Sequence, residues 1–83
     1  MNGVKKMSKE VGRRIRALRR LKRFTQKDLA QRLKISMSML SNIERGVQGA
    51  RPEMLHEISQ ILGVSPEEFF LMPVNLKKFS LIK

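Results

Sequence analysis

The stretch T-Q-K-D-L-A-Q-R-L-K-I-S-M-S-M-L-S-N-I-E-R-G, residues 25–46, decides the fold. Thr25 is a good helix N-cap, and Asp28 three residues on approximates a capping box, a motif that prefers Glu or Gln there. Leu29, Ala30 and Leu33 recur at helical spacing and make one inward face. Lys34-Ile35 leaves room only for a short connection. Ser36 then caps a further helix whose apolar positions are Met39, Leu40 and Ile43, and Gly46 after Arg45 marks its end. The stretch therefore predicts helices over Gln26–Leu33 and Met37–Arg45 with a tight turn between them.

Working outward, residues 9–22 carry Val11, Ile15, Leu18 and Leu21 at spacings of four and three. Ser8 is the expected N-cap, with Glu10 in the first turn. The opposite face holds Arg13, Arg14, Arg16 and Arg20. On the other side, Pro52 suits the first turn of a fourth helix, Arg51 is a poor cap for it, and Leu55, Ile58, Ile61 and Leu62 face inward until Gly63. Ser65-Pro66-Glu67-Glu68 starts a short fifth helix through Phe69, Phe70 and Leu71, which Pro73 stops. The expected fold is all-α, a compact bundle of five short helices. Its expected divisions are a basic arm at 1–8, a helical domain at 9–72 and an apolar tail at 73–83. The tail reads equally as a strand, a frayed helix or a segment ordered by a partner.

The chain of 83 residues has 18 Lys+Arg against 7 Asp+Glu, a formal net charge of +11. Residues 1–52 hold 15 of the basic and 3 of the acidic residues, and residues 53–83 hold 3 and 4. Solubility alone does not need that asymmetry, so an anionic partner is expected to meet the first two-thirds of the chain. There are no cysteines, hence no disulfide framework and no thiolate-bound metal. No segment approaches the ~20 apolar residues that span a bilayer, and no apolar run of signal-peptide length follows the basic N-terminus. A cytoplasmic, nucleoid-associated location is the expectation.

Two helices of about eight residues joined by a turn of three to four are what a DNA-reading helix-turn-helix requires. The first crosses the phosphate backbone and the second enters the major groove by its N-terminal end. Here the second helix opens with Met37, Ser38, Ser41 and Asn42 outside its apolar set, short or unbranched side chains suited to close approach to bases. Arg19 and Glu44 each follow a core position, Leu18 and Ile43, at the edges of their helices, a placement that permits an ion pair between them.

The segments V-G-R-R-I-R-A-L-R-R (11–20), T-Q-K-D-L-A (25–30), I-S-M-S-M-L-S-N-I-E-R-G (35–46) and I-L-G-V-S (61–65) resemble the lambda-repressor/Cro-type (XRE-like) helix-turn-helix DNA-binding family. The likeness runs through residues 9–71 without a gap. T-Q-x-x-L-A and I-E-R-G are fairly specific together and weak apart. The resemblance implies the family's five-helix fold and assigns roles by position. Met37, Ser38 and Asn42, with Ser41 beside them, fall where bases are contacted. Gln26 and Arg45 fall where phosphates are contacted, and Lys27, Arg51 and Arg14 are assigned to phosphate with them. Arg19 and Glu44 match a partly buried ion pair.

Three departures accompany the likeness. Lys34 stands where the family's turn commonly has Gly, and a Lys at positive φ carries a cost that Gly avoids. Met37 stands where an amide side chain is common, and favours apolar contact with a thymine methyl. Ala50-Arg51 replaces a common Pro-Ser entry to the fourth helix. The implied function is a sequence-specific double-stranded-DNA-binding transcriptional regulator, a repressor by expectation, acting as a homodimer on a palindromic operator. Phe69, Phe70 and Leu71 are the expected dimer contact.

Other readings stand beside these. Seven basic residues between Arg13 and Arg23 also suit a solvated face or an amphipathic membrane helix, although the apolar stripe is narrow and lacks Trp. A non-specific basic nucleic-acid binder would show no preference among duplexes. A protein-interaction module, such as an antirepressor or antitoxin-like subunit, would recognise no operator. Met39, Met54 and Met72 read as packing. His56 is the only histidine, with no second metal ligand spaced near it, and the serines at 36–41 lack a base or oxyanion donor. No catalytic activity, metal, cofactor, small-molecule ligand or membrane contact is expected.

Overall fold

In the computed structural model, residues 2–69 are described, with side chains from Ser8 onward. The order is α1 (Asn2–Leu21), α2 (Gln26–Leu33), α3 (Met37–Glu44), α4 (Pro52–Leu62) and a 3-10 turn (Pro66–Phe69). All regular structure among the described residues is helical, as the apolar spacing predicts. The core is built from Ile15, Leu29, Leu40, Ile43, Ile58 and Phe69, each at most 1% exposed, and Leu33, Leu55 and Leu62 close it. Val11, Leu18, Met39 and Met54 pack against its edge.

Four expectations change. Helix α1 starts at Asn2, so Ser8 is an interior residue, not an N-cap, and the helix takes in residues 2–8 of the expected arm. Leu21 is 72% exposed. At 100° per residue it lies about 80° round the helix from Val11, off the stripe that Val11, Ile15 and Leu18 hold. The expected fifth helix gives, within the described residues, only a four-residue 3-10 turn. Its Ser65 hydroxyl bonds the Glu67 carboxylate, and the Glu68 N–H donates to the Ser65 carbonyl at 3.0 Å. Phe69 closes that turn by entering the core at 1% exposure, which removes it from the expected dimer contact. Phe70, Leu71, Met72 and the tail lie outside the described residues.

Local chemistry explains the central pair of helices. The Asp28 N–H donates to Thr25 Oγ1 and the Thr25 N–H to Asp28 Oδ2, both at 3.0 Å, a complete capping box. The Thr25 backbone bond, then the Thr25 hydroxyl, hold the Asp28 carboxyl below its ordinary value. A depressed value means that the box is strongest with Asp28 ionised and weakens as pH falls through that value. The Met39 N–H donates to Ser36 Oγ at 3.0 Å and caps α3.

The four α-helices end alike. Phe24, Ile35, Val47 and Val64 each donate a backbone N–H five residues back, to the carbonyls of Arg19, Ala30, Asn42 and Ser59, at 2.9–3.0 Å. These are Schellman turns, which need a left-handed residue just before the donor. Gly46 and Gly63 supply it in two cases, at φ 77° and 71°, while Arg23 and Lys34 supply it in the others at φ 64° and 60°. Phe24, Ile35 and Val64 then pack against the core, so burial of the next residue holds a side-chain-bearing residue in a conformation that costs roughly 1 kcal/mol or more. Lys34 is exposed, and its side chain makes no hydrogen bond to a described residue. Lys34→Gly should therefore raise stability by about 0.5–1 kcal/mol, a gain of several degrees in thermal unfolding for a domain of this size. A lower melting temperature would contradict the strained turn.

Candidate nucleic-acid interface

The side chains that do not enter the core leave one strongly polarised face. Arg16 and Arg20, four residues apart on α1, share a face, and Arg23 in the left-handed turn after the helix joins them. They meet Gln26 at the start of α2, and Ser41 and Arg45 on α3, around an open cleft of about 650 Å³. The cleft floor is the ion pair. Arg19 Nε donates to Glu44 Oε2 at 2.6 Å and Nη2 to Glu44 Oε1 at 3.1 Å, a bidentate fork with side chains 7% and 2% exposed. Arg19 Nη1 also donates to the Phe24 carbonyl at 2.8 Å. Gln26 Nε2 donates to Glu44 Oε1 at 3.0 Å. One carboxylate at the end of α3 thus ties together the end of α1, the turn after it and the start of α2. No buried polar side-chain atom among the described residues lacks a partner.

The outer face of α3 carries the expected base-reading set. Met37 is 50% exposed, Ser38 is exposed, and Ser41 and Asn42 are half-buried. Arg45, expected as the last residue of the helix, is its C-cap, and its Nη2 donates to Asn42 Oδ1 at 2.8 Å. Lys27 and Arg51 are exposed away from the cleft, and Arg51 caps α4 without a side-chain bond. Arg14 is half-buried and does not line the cleft; Arg16, Arg20 and Arg23 take that place. The four-residue spacing of Arg16 and Arg20 was the available signal, and Arg14 is offset from Arg16 by about 200° around the helix. The expected phosphate contact Gln26 has its amide nitrogen bonded to Glu44, and its backbone N–H lies in the first turn of α2, at the positive end of the helix.

Helix α1 packs closely against α3, which in turn packs on α2. A Cβ at Gly12 would lie 2.4 Å from the Ile43 carbonyl oxygen and 2.6 Å from that of Glu44. Nothing larger than Gly fits where α1 crosses the last turn of α3. Among the described residues no helix is long and apolar enough to cross a membrane.

A capped pair of eight-residue helices, α2 and α3, joined by a left-handed turn defines a helix-turn-helix protein. Residues 15–69 match the family described as Helix-turn-helix, and the chain belongs to it. It is 42% identical over 57 residues to YazB of Bacillus subtilis, named an uncharacterized HTH-type transcriptional regulator, across 69% of this chain and 83% of that one. It is 34% identical over 67 residues to the competence pilus inhibition repressor of Acinetobacter baylyi, across 81% of this chain. The match spans 61% of that relative's length. Among solved structures, the restriction-modification controller protein C.AhdI of Aeromonas hydrophila superposes with a TM-score of 0.69 at 26% identity, over 74% of this chain and 92% of that one. The clp gene regulator ClgR of C. glutamicum superposes with a TM-score of 0.73 at 28% identity, over 77% and 83%.

Proposed function

We propose that this chain is a sequence-specific double-stranded-DNA-binding transcriptional repressor that inserts α3 into the major groove as a homodimer. The observation that carries the reading is the juxtaposition on one face of the weakly charged outer side of α3 and the arginine cleft beside it. Relatives named as regulators and as a repressor support the regulatory role. Met37, Ser38, Ser41 and Asn42 face the bases. Arg16, Arg20, Arg23 and Arg45 neutralise phosphate along the cleft, and Gln26 meets a phosphate at the start of α2. Lys27, Arg51 and Arg14 extend that contact outside the cleft. One recognition helix reads few bases, so a two-fold pair reading half-sites about 34 Å apart supplies the specificity. With Phe69 in the core, Phe70 and Leu71 remain the proposed dimer contact.

Selection of binding sites from random duplexes at a stated salt concentration tests this reading. The expected product is an enriched two-fold palindrome; a flat profile would sink it. Affinity for the selected site should fall with a log–log salt slope near −0.9 per phosphate contacted. Arg20→Gln should make that slope shallower by about 0.9 and weaken all sequences alike. A change in base preference in that variant would move Arg20 from the backbone to the bases.

A further inference from the structure

Placing α3 in the groove leaves open which base Asn42 would read, and the bond to Arg45 bears on it. Arg45 Nη2 lies 2.8 Å from Asn42 Oδ1. A guanidinium has five donors and no acceptor, so the amide atom that meets it has to be the oxygen. The chemistry therefore fixes which way the amide turns. Its Nδ2 donor group points away from Arg45, and its acceptor is held against a positive charge.

An asparagine reads adenine by doing two things at once, donating to N7 and accepting from the N6 amino group. The second contact needs Oδ1. The remaining lone pair on that oxygen lies beside a guanidinium, where an incoming amino hydrogen meets charge of its own sign. Joined in this way, Asn42 and Arg45 present donors only. Guanine is the base whose major-groove edge offers two acceptors, N7 and O6, and no donor. The two residues sit three apart, at the last turn and cap of α3, so they share a helix face.

We propose that Arg45 sets the base preference of Asn42, so that the pair reads guanine and rejects adenine at the position Asn42 faces. This rests on the groove-reading role of α3. Asn42 is the contacting residue and Arg45 the positioning one, in addition to any phosphate it neutralises.

The test is binding-site selection at one salt concentration with the wild type, Asn42→Ala and Arg45→Met. Both variant positions lie outside the core, and circular dichroism checks that each stays helical. Asn42→Ala identifies the base pair in question as the one whose preference it flattens. At that pair the wild type should favour G·C over A·T by about 5- to 150-fold, the range of one good base contact. Arg45→Met frees Oδ1 and should move the preference at that pair, and at no other, toward A·T. Three results overturn the proposal alone: A·T in first place in the wild type, no pair flattened by Asn42→Ala, or an Arg45→Met variant that binds all sites more weakly with the base order unchanged. A flat wild-type profile overturns the groove-reading role as well, so the two failures are told apart.

Discussion

Glu44→Ala should lose about 3–5 kcal/mol of folding stability, the usual consequence of leaving one partner of a buried pair uncompensated. The carboxylate accepts two bonds from Arg19 and one from Gln26, with its side chain 2% exposed. Removing it strands a guanidinium that is 7% exposed and keeps only the Phe24 carbonyl as partner. It also frees Gln26 at the start of α2. A small domain holds about 5–15 kcal/mol in all, so the variant should be largely unfolded well below the wild-type melting temperature. Urea unfolding of both proteins measures the loss, and a value under about 1 kcal/mol would mean that the pair is effectively solvated. The double replacement Arg19→Met with Glu44→Leu should recover most of the stability, because an apolar pair of similar volume needs no desolvation of charge. It should not recover DNA reading if the ion pair is what fixes α3 relative to the start of α2. That separates a structural role from an orienting one.

Helices α2 and α3 were legible because their signals are local. Thr25 with Asp28 and Ser36 with Met39 close within one turn, and the apolar residues recur at helical spacing around them. The outer set on α3 is what remains once Leu40 and Ile43 are assigned to the core, so it follows from the same pattern. What the sequence hid depends on tertiary packing. Ser8 has the chemistry of a cap, yet nothing in residues 2–7 breaks a helix strongly enough to make it one. Arg23 is an improbable left-handed residue until the burial of Phe24 beside it is known. Phe69 and Phe70 looked alike as candidates for a surface contact, and only the packing of the 3-10 turn places Phe69 inside. The bond from Gln26 to Glu44 crosses 18 residues and has no sequence signature. The arginine cleft lay between these cases. The spacing of Arg16 and Arg20 was legible, but their choice over Arg14, and the addition of Arg23, required knowing which side of α1 faces α3.

Gly12→Ala should destabilise the fold by about 2 kcal/mol or more, against the direction that helix propensity alone predicts. In an unconstrained helix the exchange would gain about 1 kcal/mol. Here the new methyl would sit 2.4 and 2.6 Å from the carbonyl oxygens of Ile43 and Glu44. Those oxygens belong to the last turn of α3, and the first also accepts the Gly46 N–H at 3.1 Å, so they cannot swing aside singly. The helices must part instead, and forcing extra volume into a packed contact typically costs about 1–3 kcal/mol before the backbone shift is counted. The displacement has a functional consequence. Glu44 provides one of the two carbonyls at the crossing and also the carboxylate that holds Arg19, so moving α1 off α3 stretches the ion pair as well. Gly12→Ala and Glu44→Ala should therefore be non-additive, with the double variant losing less than the sum of the two single losses, as expected for residues that share one contact. Urea unfolding of the four proteins in that cycle measures the coupling. A stabilised Gly12→Ala protein would show that the two helices do not approach so closely, and strict additivity would show that the crossing and the ion pair are set independently.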